Sequence, residues 1–90
     1  MSLNGYRDEV AEFLDKIAAR EEPVSRVMDM LGEEIVLLKE SLDDRERLSH
    51  QLYDVLFLLC EVAAMYNLDM DSAWAQGRER KRAKYLSKPD

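Results

Sequence analysis

The stretch Val55-Leu56-Phe57-Leu58-Leu59-Cys60 is apolar without interruption. It sits inside a longer line of Leu48, Leu52, Val55, Leu59, Val62 and Tyr66, whose steps of three and four residues are those of a helix. A helix that is apolar on every side is buried on every side. The whole chain has 90 residues, enough for one domain. A domain that short buries only about 60 % of its unfolded surface. Its helices cannot surround one of their own, so the run implies a partner chain. The run covers roughly fourteen residues and carries charges at Asp54 and Glu61, too short and too polar for a bilayer span.

The rest of the chain reads as three more helices. A first, from about Gly5 to Arg20, carries Tyr6, Val10, Phe13, Leu14 and Ile17 on one stripe. Glu21-Glu22-Pro23 breaks it, and Pro23 suits the first position of the next helix. That second helix aligns Val24, Val27, Met28, Leu31, Ile35, Leu38 and Leu42, with Gly32 marking a close helix contact. Asp43-Asp44 is the next break, with Asp43 as the cap of the third helix and Glu46 completing an acidic capping box. Asn67-Leu68-Asp69 makes the last turn, with Asp69 capping a fourth helix from Met70 to about Tyr85. The predicted fold is all-α: a four-helix chain assembling into a dimeric or tetrameric helical bundle. It forms a single domain over 1–90, with a core at about 5–86 and a basic, frayed tail at 78–90.

Charge narrows the function. The net charge is −6, but residues 1–77 balance to −10 and residues 78–90 to +4. The acidic body argues against long nucleic acid as a partner. The tail is either a solvated helix end whose cations suit the helix dipole, or a phosphate-binding segment made of Arg78, Lys81, Arg82 and Lys84. One cysteine and one histidine exclude a disulfide framework, a Cys-based zinc site and a multi-His metal site within one chain. With no signal peptide visible after Met1, the single thiol fits a reducing cytoplasm. Cys60 reads as an inert buried thiol, the five Met as gap fillers, and Trp74 as core or interface.

Asp54 is the residue that points to chemistry. It heads the apolar run, where an ionised carboxylate is costly unless paired, hydrogen-bonded or bound to a metal. The tight turn at Asp43 makes the second and third helices antiparallel. Counting from that turn at about 1.5 Å per residue, Glu33, Glu34 and Asp54 lie within roughly one turn in height. Gln51 is one turn before Asp54 on the same face, and His50 is four residues before it. Carboxylates and an amide oxygen converging between two helices suit a hard cation, Mg²⁺ best and Mn²⁺ next. Glu40 and Glu61 sit roughly 10 Å away along the axis, so Glu40 reads as surface and Glu61 as lining a polar seam.

The stretches Gly32-Glu33-Glu34-Ile35-Val36-Leu37 and Gln51-Leu52-Tyr53-Asp54-Val55-Leu56, followed by Asn67-Leu68-Asp69, resemble a known superfamily. This is the all-α nucleoside triphosphate pyrophosphatases, which include MazG-like enzymes and phosphoribosyl-ATP pyrophosphohydrolases. Their pattern is E-E-x-x-E on one helix and E-x-x-D on the next. The likeness covers about Val10 to Leu86. It implies a homodimer or homotetramer in which Mg²⁺ on the acids binds a nucleotide substrate and water releases pyrophosphate. It carries over Glu33, Glu34 and Asp54 as catalytic residues, with Gln51 joining them at the metal and Glu33 or Glu34 as the water's base. Late basic residues would contact phosphates, a role open to Arg78, Lys81, Arg82 and Lys84.

The chain departs from the pattern at two places. Leu37 stands where the first motif has its third Glu, and Gln51 where the second has its Glu. Two alternatives follow: a catalytically degenerate helical oligomer that binds nucleotide or a protein partner, and a phosphoribosyl-ATP pyrophosphohydrolase. Asp44-Arg45-Glu46-Arg47-Leu48 is similar to a stretch of the latter.

Overall fold

A computed structural model of the chain describes residues 2–86. Its elements are α1 (Leu3–Lys16), α2 (Val24–Lys39), α3 (Arg45–Met65) and α4 (Met70–Tyr85). There is no strand among the described residues. The all-α expectation holds, and all four helices lie where the 3.6-residue spacing puts them.

Local chemistry sets each boundary. α1 starts two residues before the expected Gly5 because the Ser2 hydroxyl accepts the Gly5 N–H at 2.9 Å. It ends at Lys16 rather than Arg20 because Ala18 turns left-handed at φ 56°. The Ala19 N–H then bonds the Leu14 carbonyl at 2.8 Å, a Schellman closure. Pro23 is the N-cap of α2 instead of its first residue. Asp44, not Asp43, caps α3: its carboxylate accepts from the N–H groups of Glu46 and Arg47. Asn67, at φ 49°, ends α3 with the same closure, from Leu68 N–H to the Ala63 carbonyl. Asp69 caps α4 as expected, accepting from Ser72 N–H at 2.9 Å. The basic segment is helical to Tyr85; the part of the tail at 87–90 lies outside the described residues.

α3 is the axis of the fold, with α1 packed on one flank and α2 on the other. Two small cores result. Val10, Leu14 and Cys60 make the first, and Val27, Leu31 and Leu58 the second. Phe57 packs against both. The expected stripes are therefore split. Val27 and Leu31 are covered, but Met28, Ile35 and Leu42 of the same predicted line are exposed, as are Leu52, Leu59 and Tyr66. α3 runs 21 residues, so by length and composition alone it is long and apolar enough to cross a membrane, against the reading of its fourteen-residue apolar run as too short and too polar. Gly32 makes no close contact within the chain: a Cβ there meets nothing within 4 Å.

α4 packs chiefly on α1, and none of its residues is buried. The join is a reciprocal cap. Asp71 accepts from the N–H groups of Leu3 and Asn4 at 2.9 and 3.4 Å. Asn4 Oδ1 in turn accepts the Met70 N–H at 2.7 Å, and its Nδ2 donates to Asp69 at 3.0 Å. Arg7 Nη1 adds a bond to the Leu68 carbonyl at 2.6 Å. Two helix N-termini, each with a partial positive charge, thus meet at two carboxylates. The Ser72 amide above all, then the Asn4 side chain, holds the Asp69 carboxyl below its ordinary value. A lowered folded pKa gives stability above the unfolded value, lost as pH falls through the folded one.

Candidate functional site

The antiparallel α2–α3 pair does bring one expected combination together. Gln51 Nε2 donates to Glu34 Oε2 at 2.8 Å across the two helices. Counting outward from the turn places these two residues at similar height, and the hydrogen bond puts them in contact. One turn along α3, Asp54 is half-buried and its Oδ2 lies 3.1 Å from His50 Nε2. Beside them runs a groove of about 330 Å³ lined by Leu37, Ser41, Glu46, Arg47, His50 and Gln51. Leu37 and Gln51 line this groove together.

The full set of acids does not converge within one chain. Among the described residues, no three His, Cys, Asp or Glu side chains stand close enough to hold a metal together. The reason is helical geometry. Glu33 and Glu34 are neighbours, about 100° apart around the axis, so they cannot both face α3. Glu34 faces it and is half-buried; Glu33 is exposed. Mg²⁺ takes as few as one or two carboxylates, with substrate phosphates and water filling the remaining positions. Of the expected set, Glu34 and Gln51 touch across the two helices, and Asp54 pairs with His50.

The basic residues lie elsewhere. Arg78, Lys81, Arg82 and Lys84 are all exposed on α4. Arg82 is 3.6 Å and Arg78 4.0 Å from Glu79, and Lys84 Nζ stands 5.1 Å from the centre of the Tyr85 ring. No α4 residue lines the α2–α3 groove, whose own basic side chains are Arg47 and His50. Trp74 is 65 % exposed, so a single chain gives it no core.

Spacing does not reveal the surroundings of two other polar residues. Ser41 is buried and donates to the Leu37 carbonyl at 2.6 Å, closing the end of α2. Glu40 is exposed, but Glu61 is only 4 % exposed. Burial pushes the Glu61 carboxyl above its ordinary value of 4.5, and the nearby Glu22 carboxylate adds to the rise. Burial likewise raises the Cys60 thiol, as expected of an inert one. A carboxyl raised on folding holds its proton more tightly in the native state, so stability falls as pH climbs from the unfolded pKa through the folded one. Glu61→Gln keeps the shape and removes the charge. The variant is expected to be more stable than the parent in urea at about pH 7.5 and equal to it near pH 4.

Comparison with protein-family models, with curated proteins and with solved structures gave no match.

Proposed function

We propose that the α2–α3 face is the site of a Mg²⁺-dependent nucleotide pyrophosphohydrolase that releases pyrophosphate from a nucleoside triphosphate. The observation that carries this reading is the Gln51–Glu34 hydrogen bond at 2.8 Å, with Asp54 one turn further on. It couples the two motif helices at the positions the family pattern uses. Mg²⁺, when bound, would polarise the phosphoryl oxygens and lower the pKa of a water. Glu34 and Asp54 would hold it, with the Gln51 amide oxygen turned toward it. Glu34 engages Gln51 through one oxygen and has a second free to take a proton from the attacking water. Glu33, exposed beside it, is the other base candidate. Arg78, Lys81, Arg82 and Lys84 are the proposed phosphate contacts, brought in by a homo-oligomer in the cytoplasm.

A second reading has its own observation. Gln51 is bonded to Glu34, Asp54 to His50, and Leu37 offers no oxygen. A chain whose Glu34 and Asp54 each already engage a side-chain partner suits a catalytically degenerate helical oligomer that binds nucleotide or a protein.

The test is pyrophosphate release from a panel of common and modified nucleoside triphosphates, with Mg²⁺ or Mn²⁺. Asp54→Asn is expected to cut the rate at least about 100-fold, the upper range for disturbing a metal site. Absence of release from every nucleotide, with the protein folded, selects the second reading.

A further inference from the structure

We infer that the groove between α1 and α3 is a binding site for an organic ammonium ion whose nitrogen carries alkyl groups. This groove shares no lining residue with the α2–α3 groove. The inference is independent of the function proposed above.

The sequence places the parts on two helical faces. On α1, Phe13 follows Glu9 by four residues and Lys16 follows Glu12 by four, so all four share one side of the helix. On α3, Tyr53 and Phe57 are likewise four apart. The packing of α1 on α3 brings the two faces together around a cavity of about 310 Å³. That volume is at the lower end of the range for small-molecule sites.

Three aromatic rings make a corner in this cavity. Phe13 meets Phe57 edge-on, at 84° with ring centres 5.8 Å apart, and Tyr53 tilts against Phe57 at 46° and 6.3 Å. None of the three lies flat on another, which leaves ring surface uncovered: Phe13 is 48 % and Tyr53 60 % exposed. The face of an aromatic ring is its electron-rich side and attracts cations.

Charge selects the occupant. The lining holds two carboxylates, Glu9 and Glu12, and one cation, Lys16. Lys16 Nζ is paired with Glu12 at 3.3 Å. Glu9 has no ion-pair partner among the described residues. One uncompensated negative charge therefore stands beside three rings. An anionic ligand is repelled here, whereas a cation gains from both Glu9 and the rings.

Hydration selects the kind of cation. A bare ammonium group is compact and strongly hydrated, and one free carboxylate replaces few of the water contacts it would give up. Alkyl groups on the nitrogen lower that cost and add apolar contact with Phe13, Tyr53 and Phe57. Aromatic enclosures are the characteristic hosts of such cations. A free solute and a lipid headgroup can both present this chemistry.

The test is titration of the full chain with choline, followed by its aromatic proton resonances and by far-UV circular dichroism. Choline is expected to shift the Phe13 and Tyr53 rings saturably, with a dissociation constant on the order of 1 mM. The uncharged alcohol of the same shape, with carbon in place of nitrogen, is expected to bind at least about tenfold more weakly. Tyr53→Leu keeps apolar bulk but removes a ring, and is expected to weaken choline binding about fivefold. Glu9→Gln is expected to weaken it about threefold. Lys16→Met removes the competing cation and frees Glu12, so it is expected to tighten binding about threefold. Glu9, Lys16 and Tyr53 are all exposed, so helicity should persist. If Tyr53→Leu unfolds, the opposite signs of Glu9→Gln and Lys16→Met still decide the matter. Absence of a saturable shift overturns the inference. So does equal affinity for the uncharged alcohol, an affinity unmoved by all three substitutions, or shifts confined to Trp74 and Tyr85 on α4. Vesicles of phosphatidylcholine separate the two sources of the cation. Tighter binding to vesicles than to choline, with the same dependence on Tyr53 and Glu9, assigns it to a headgroup; choline binding with no vesicle binding assigns it to a free solute.

Discussion

Phe57→Ala is expected to cost about 3–5 kcal/mol in urea denaturation, the usual range for removing a packed aromatic ring. A domain of this length holds only about 5–13 kcal/mol in all, so the variant loses much of its reserve. The size of the effect follows from position. Phe57 packs against both buried clusters, that of Val10, Leu14 and Cys60 and that of Val27, Leu31 and Leu58. Its ring meets Phe13 edge-on at 5.8 Å and Tyr53 at 6.3 Å. Edge-on aromatic pairs add about 0.5–1.5 kcal/mol beyond burial. Among the described residues no other spans the two cores in this way, and neither core alone has more than three buried apolar side chains. Phe57→Leu, which keeps much of the volume but loses the ring, is expected to cost about 1.5 kcal/mol. Equal losses for the two variants would show that the ring contacts contribute nothing beyond volume.

Restoring both acids, Leu37→Glu with Gln51→Glu, is expected to tighten Mn²⁺ binding at least about tenfold, since affinity at oxygen sites rises with ligand charge. Both positions line one groove, and position 51 already touches Glu34 at 2.8 Å. Two carboxylates that close cannot both ionise freely without a cation between them. The double variant is therefore expected to melt below the parent in chelator and to recover with Mn²⁺. Free Mn²⁺ measured by electron paramagnetic resonance gives the affinity, and thermal scans give the recovery. Unchanged affinity with an intact fold would mean that the groove does not admit a cation. A gain in pyrophosphate release confined to this variant would identify the natural chain as a degenerate relative.

Much of this fold is legible in the chain because helices announce themselves by spacing. The turn at Asp43-Asp44 is enough to pair Glu34 with Gln51, since equal distances from a hairpin turn mean equal heights. The choice between the two aspartates is not legible: it depends on which one adopts extended backbone, and Asp44 does, at φ −135°. Periodicity also does not say which of two adjacent apolar lines is covered. Val27 and Met28 are neighbours in one predicted stripe, yet one is fully buried and the other half-exposed. The role of Asn4 has no local signal, because its partners Asp69 and Met70 are more than sixty residues away. Rise along the helix puts Glu61 out of reach of the site, but its burial beside Glu22 depends on how the α1–α2 connection folds over α3.

The reciprocal cap between the starts of α1 and α4 also bears on the order of assembly. Asn4 and Met70 are 66 positions apart, so bringing them together closes a loop spanning most of the chain. The entropy of that closure is spent before the contact returns anything. The hairpin of α2 and α3 has its partners close by and forms first; the fourth helix is then the last to dock. On a ribosome, the Leu3 and Asn4 amides would wait for their carboxylate until Asp71 emerges from the exit tunnel.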